Sequence, residues 1–189
     1  MRAETITKYY YTFEELSKDR QELEIEKIRN DEYYLDYEWY EGIEEDFKTI
    51  LELLGFYDIE TYFSGFYSQG DGASFEARWD REKYLTRKIK DYAPKDEELY
   101  SIAKELQGFA VGEEGIVERT QHTNYYHSNT MTAEIGEGYN KIANNHFTAL
   151  CRDLADWYYS RLDEQYEYLM SDEAIVEHMI ANEYEFEGK

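Results

Sequence analysis

Residues 59–80 read IETYFSGFYSQGDGASFEARWD, and the second half of this stretch alternates with a period of two. Ala73, Phe75, Ala77 and Trp79 fall on one side and Ser74, Glu76, Arg78 and Asp80 on the other, which predicts a half-buried strand. Residues 59–67 are rich in Tyr, Phe and Thr, side chains that suit a pleated surface. Between the two segments lies Ser68-Gln69-Gly70-Asp71-Gly72, whose glycines accept positive φ without steric cost. The stretch therefore reads as a β-hairpin at the middle of a mainly antiparallel sheet.

The segment GFYSQGDGASF within this hairpin resembles a recurrent stretch of uncharacterised bacteriophage proteins, there usually GFWSQGDGA-F, that are often labelled antitoxin of toxin–antitoxin stability system. The resemblance extends upstream to FEELSKDRQELEIEKIRN and downstream to YEYLMSDEAIVEHMIANEYEF, and so spans most of the chain. Tyr67 stands where the relatives usually carry Trp, a conservative departure. The resemblance implies a phage origin and leaves the activity open.

Charge is the dominant bulk property: 43 acidic against 20 basic residues in 189, a formal net charge of −23. Such acidity is one mark of disorder, but 21 Tyr, 9 Phe and 3 Trp with a single Pro give the chain a core to build, so it is expected to fold. The same charge disfavours nucleic acid and anionic membranes, whose phosphates require Lys and Arg, and favours a partner protein with a basic surface. The single Cys151 excludes an internal disulfide and any Cys-based zinc site. No apolar run approaches a membrane span, and the expected location is the cytoplasm of a host cell.

Along the chain, residues 5–11 read as a first strand. Thr12 and Glu15 form a capping box that opens a charged surface helix to about Arg29, with Leu16, Leu23 and Ile28 as its few apolar residues. Ile43, Phe47, Ile50, Leu51 and Leu54 recur at helical spacing, and Gly55 ends that helix. A basic island follows the hairpin: Arg78, Arg81, Lys83, Arg87, Lys88, Lys90 and Lys95, expected to pair with the acidic excess. Pro94 sits where a helix starts, with Asp96, Glu97 and Glu98 in its first turn and Gly108 past its end. Residues 115–121 and 125–127 are expected to pair with residues 130–135 around a turn at Ser128-Asn129. Phe147, Leu150, Cys151, Leu154, Trp157, Tyr158, Leu162 and Leu169 trace one stripe of a long helix over residues 140–169, and Ser171 caps a last helix. The acidic tail 182–189 is read as extended or frayed. With no internal repeat or linker, the expectation is a single α+β domain over residues 1–189.

No catalytic residue, metal site or cofactor is predicted. The four histidines, His122, His127, His146 and His178, lack any metal-binding helical spacing, and SQGDG lacks the alternating acids of a calcium loop. No nucleophile elbow or phosphate-binding glycine loop occurs. Two acidic stretches carry the functional reading. Residues 31–60 hold eleven acids against Lys48, and residues 153–189 hold eleven against Arg161 and Lys189. Within them Asp31, Glu32, Asp36, Glu38, Glu41, Glu44, Glu45, Asp46, Asp163, Glu164, Glu167, Asp172 and Glu173 are the expected partner contacts. The expectation is a non-enzymatic phage protein that binds and inhibits a defence nuclease, toxin or DNA-binding factor, with DNA mimicry, carboxylates standing where DNA presents phosphates, as one way to do so. The aromatics from Tyr33 to Tyr40 suit a homodimer or partner interface. A second reading places a small-ligand or enzymatic site on the turn Ser68, Gln69, Gly70, Asp71 and Gly72, near His122 and His127.

Overall fold

The 59–80 hairpin is present in a computed structural model of the chain, which describes residues 7–35, 39–110, 113–120, 125–136 and 141–188. In chain order the elements are β1 (Tyr10–Tyr11), α1 (Lys18–Arg29), α2 (Glu41–Leu53), β2 (Phe56–Ser64), β3 (Gly72–Asp80) and α3 (Leu85–Tyr92). They continue as α4 (Glu97–Leu106), β4 (Glu114–Arg119), β5 (Met131–Ile135), α5 (Lys141–Leu169), α6 (Asp172–Ala181) and β6 (Phe186–Glu187). The fold is α+β, with an antiparallel four-stranded sheet in the order β2-β3-β4-β5 and a two-stranded ribbon of β1 and β6. Two compact units result, residues 40–163 and residues 1–39 with 164–189.

The larger unit is built around the hairpin. β2 and β3 pair from Phe56↔Trp79 to Ser64↔Gly72, with a bulge between Tyr57 and Glu60 where Asp58 takes φ +52°. Ala73, Phe75, Ala77 and Trp79 are all buried, as the alternation requires. Against that face pack Phe47, Ile50 and Leu51 of α2 and the Phe147–Leu162 stripe of α5, also buried. Aromatic rings dominate the contact: Phe47 lies flat on Tyr158 with centroids 4.4 Å apart, and Trp79 meets Phe147 at 4.8 Å. Each buried ring removes a large apolar area from water at about 25 cal/mol per Å², which makes this layer the main source of stability. Gly55 ends α2 at φ +94°, and a side chain there would strike the Asp80 carbonyl.

Two segments of this unit, 94–96 and 125–129, depart from expectation, and the basic island forms a helix left unassigned by the sequence. The basic island is partly helical: α3 forms because Leu85 and Ile89, four apart, are both fully buried. Of its charges, Arg87 pairs with Asp91 at 3.6 Å, Lys88 with Glu82, and Arg78 with Asp58 at 3.7 Å. Residues 125–127 do not join β5; the Tyr126 N–H bonds the Gly70 carbonyl at 3.1 Å, so this segment covers the hairpin turn. Ser128-Asn129 belongs to one turn of 3-10 helix ahead of β5. The helix after Pro94 starts from Asp96, whose Oδ1 accepts the Leu99 N–H at 2.9 Å.

In the smaller unit the Thr12–Glu15 capping contact exists, the Thr12 N–H donating to Glu15 at 2.9 Å, but it closes only a 3-10 turn over Phe13–Glu15. Leu16 and Ser17 are extended, and α1 restarts at Lys18. This break lets Phe13 turn inward to join Ile25, Ile175 and Met179 in a separate core, so Ile25 rather than Leu23 anchors α1. Glu24 is buried beside them, held by Arg20 at 2.5 Å and Lys27 at 2.9 Å. The first strand is shorter than expected among the described residues, and it pairs with the C-terminal segment: Tyr10↔Glu187 and Tyr11↔Phe186. Ser171 caps α6, its hydroxyl accepting the Ala174 N–H at 3.3 Å.

Candidate functional site

The predicted partner contacts fall into three groups. On α2, Glu41 and Glu45 are exposed on the side away from Phe47. Asp46 accepts the Tyr92 hydroxyl, and Glu44 is half-buried, accepting from Lys48 at 2.6 Å and from the Thr61 hydroxyl. Burial works to raise the Glu44 carboxyl, but these two hydrogen bonds and the Lys48 charge outweigh it and hold the group below the usual carboxylate value. Asp163 is exposed on the same unit's part of α5. In the smaller unit Asp31 caps its own turn, accepting the Tyr33 N–H at 2.9 Å, while Glu32, Glu164, Glu167 and Glu173 are exposed. Asp172 is already paired with Arg29. Asp36 and Glu38 lie outside the described residues, as does His122.

A further set of acids in the larger unit was not among the predicted contact residues. The register places Tyr57, Arg78, Ile116 and Glu134 in one row across all four strands. Flanking rows pair Asp80 with Glu114, Glu60 with Glu76 and Glu118 with Thr132. This face, opposite the buried Phe75 and Trp79, thus presents Glu60, Glu76, Asp80, Glu114, Glu118 and Glu134 around Arg78. The signal was in the sequence as acids at alternate strand positions, visible only once strand register joins four separated segments.

One end of the face is closed by a built polar cluster. The Tyr62 hydroxyl lies 2.8 Å from both the Glu60 and the Glu76 carboxylate. Burial, and then hydrogen bonding to these two carboxylates and their charge, push the phenol well above its ordinary value, so it stays a neutral donor. Glu76 also accepts the Arg119 N–H at 3.0 Å, taking the place of a backbone carbonyl at the end of the β3–β4 ladder. The Arg119 guanidinium sits 4.2 Å from the Tyr62 ring centre and 4.6 Å from that of Tyr126, and donates to the Tyr125 carbonyl at 3.1 Å. Cation and carboxylates are therefore locked together on a rigid surface.

The SQGDG turn is bound up in packing. Asp71 accepts the Ser68 N–H at 2.6 Å, folding the turn on itself. Gly70 has φ +95°, and a Cβ there would lie 2.1 Å from the Tyr125 ring. Gly72 opens β3 and is buried, which leaves Ser68 and Gln69 exposed at the tip. His127 packs by its backbone on Gly72, and its imidazole Nδ1 is buried with no hydrogen-bond partner among the described residues. His146 instead meets Glu105 at 2.7 Å, and His178 faces Tyr184 at 3.3 Å.

Among the described residues no three His, Cys, Asp or Glu side chains are placed to share a metal ion, and no helix is long and apolar enough to cross a membrane. Cys151 is fully buried in the α5 stripe, and burial, with the Asp153 charge, pushes its thiol well above the ordinary range. No curated protein and no solved structure matches the chain. Residues 39–172, most of the length, match the model of DUF8835, a domain of unknown function, and the chain belongs to that family.

Proposed function

We propose that this chain is a non-enzymatic binding protein of phage origin that acts in the host cytoplasm by occupying the basic surface of a host protein, such as a defence nuclease, a toxin or a DNA-binding factor. The observation that carries the reading is the acidic outer face of the four-stranded sheet, set on a scaffold whose other face is a closed aromatic core. Carboxylates held by register and by the Tyr62 clamp do not need ordering on contact, so opposed charge on a partner meets a preformed surface. The exposed acids of α2 add to the same unit's charge. The phage resemblance supports a host target, since an acidic inhibitor that stands in for DNA suits that setting.

The test is a two-stage binding experiment. Immobilised protein is exposed to bacterial lysate at low salt, and the retained protein is purified and titrated against wild type at several salt concentrations. Charge screening over about 10 Å at 0.1 M predicts markedly slower association as salt rises. Glu114→Lys, Glu118→Lys and Glu134→Lys together are expected to weaken binding far more than three reversals on the outside of α1, and double-stranded DNA is expected to compete. Salt-independent affinity, or equal effects from the two triple variants, would overturn the reading.

A further inference from the structure

The smaller unit carries a groove walled by the last turns of α5 and by α6. Three aromatic rings line it, Tyr34, Trp39 and Tyr168, and Glu177 stands on the α6 wall. The rings are held in place. The Tyr34 hydroxyl donates to the Leu169 carbonyl at 2.9 Å, and its ring meets His178 edge-on with centroids 5.1 Å apart. Trp39 leans on Tyr166 at 6.0 Å, and Tyr168 is half exposed.

The charge around this groove is one-sided. Residues 162–188, which supply both helical walls, contain nine Asp and Glu and no Lys or Arg. Arg29, which reaches this part of the unit, is committed to Glu26 and Asp172 and donates to the Met170 carbonyl at 3.1 Å. Apolar rings under a negative rim oppose an anion. They suit a flat, weakly hydrated cation that stacks on an aromatic face while pairing with a carboxylate. Ammonium, compact and strongly hydrated, fits such a surface less well than guanidinium.

We propose that this groove receives an arginine side chain of the partner protein, its guanidinium stacked on the Trp39 and Tyr168 rings and paired with Glu177. The inference rests on the basic-partner reading above and names the residue type that the smaller unit reads. It assigns this unit a selective role, arginine over lysine, beside the charge-driven contact of the sheet face.

Acetylated, amidated hexa-arginine and hexa-lysine serve as probes on the full chain, followed by the indole resonance of Trp39. Trp79 and Trp157, 0 % and 4 % exposed, act as internal references. The Trp39 resonance is expected to shift, with hexa-arginine binding several-fold tighter than hexa-lysine at equal salt. Tyr168→Leu and Glu177→Gln, both at exposed positions, are each expected to weaken hexa-arginine by about two- to five-fold with unchanged circular dichroism. A Trp39 resonance that stays still, or equal affinity of the two peptides in both wild type and Tyr168→Leu, overturns the groove assignment. If the sheet triple reversal still abolishes peptide binding in that event, the basic-partner reading survives alone. If neither peptide binds, both readings are overturned.

Discussion

The Trp79 indole N–H donates to the Leu54 carbonyl at 3.0 Å, joining an interior strand to the C-terminus of α2. That carbonyl is among those a helix end leaves without an intrahelical donor, so the bond satisfies a buried acceptor while the ring fills the core. Trp79→Ala is expected to cost about 3–5 kcal/mol. Trp79→Phe keeps a ring and loses the donor, and a cost of about 1–3 kcal/mol is expected from the stranded carbonyl. Urea unfolding of both variants checks this; a loss below about 1 kcal/mol for Trp79→Ala would show that the ring is not an anchor.

Asp96 serves two elements at once. Its Oδ1 caps α4 through the Leu99 N–H, and its Oδ2 accepts the Trp157 indole at 2.9 Å. Asp96→Ala should therefore cost more than the roughly 1 kcal/mol of an ordinary cap, about 2–4 kcal/mol with the indole left unpaired. Glu97→Ala, one residue on and exposed, should stay within about 0.5 kcal/mol. Thermal unfolding of the pair separates the two; equal midpoints would refute the shared role.

The hairpin, α2 and α5 were legible because each repeats one period over many residues: two for Ala73 to Trp79, three to four for Ile43 to Leu54 and Phe147 to Leu162. α3 escaped because only Leu85 and Ile89 mark it among charged neighbours. The β1–β6 pairing escaped for a different reason, since a two-residue ladder between Tyr10 and Glu187 leaves no local pattern. For the surface, acidity itself was plain, but not which acids are engaged. Lys48 lies one helical turn from Glu44 and was within reach of the sequence, but only the fold brings Thr61 to Glu44 and Arg29 to Asp172. The aromatic groove combines three segments and could not be assembled from spacing.

Two glycines should respond to alanine in opposite directions. At Gly70 a Cβ meets the Tyr125 ring and the backbone is left-handed, so Gly70→Ala should destabilise by more than about 1 kcal/mol. Gly42 sits in α2 with nothing within 4 Å of its Cβ position, and Gly42→Ala should stabilise by about 0.5–1 kcal/mol. Denaturant midpoints for the pair decide it, and a shared sign would contradict the placement of the turn against residues 125–127.

Acid should reveal the work of Glu44. Because its folded carboxyl titrates below its unfolded value, near 4.5, its ionised form adds stability that is fully present above that pH. The contribution is lost as pH falls through the lower folded value. Glu44→Gln should thus be less stable than wild type at pH 7, with the gap closing below about pH 4.5. A gap that widened on acidification would mean that the Lys48 and Thr61 contacts do not favour the ionised form.

The burial of Cys151 has a practical consequence. A thiol that is enclosed and kept protonated reacts slowly with maleimides and oxidants, so the chain's single thiol is silent in the native state. A cysteine introduced at Gln69 or Glu114 would be the reactive one, without any need to replace the native residue. Spin labels, fluorophores or photocrosslinkers can then be set singly on the turn tip or the acidic sheet face, and a captured partner mapped by which label it shields.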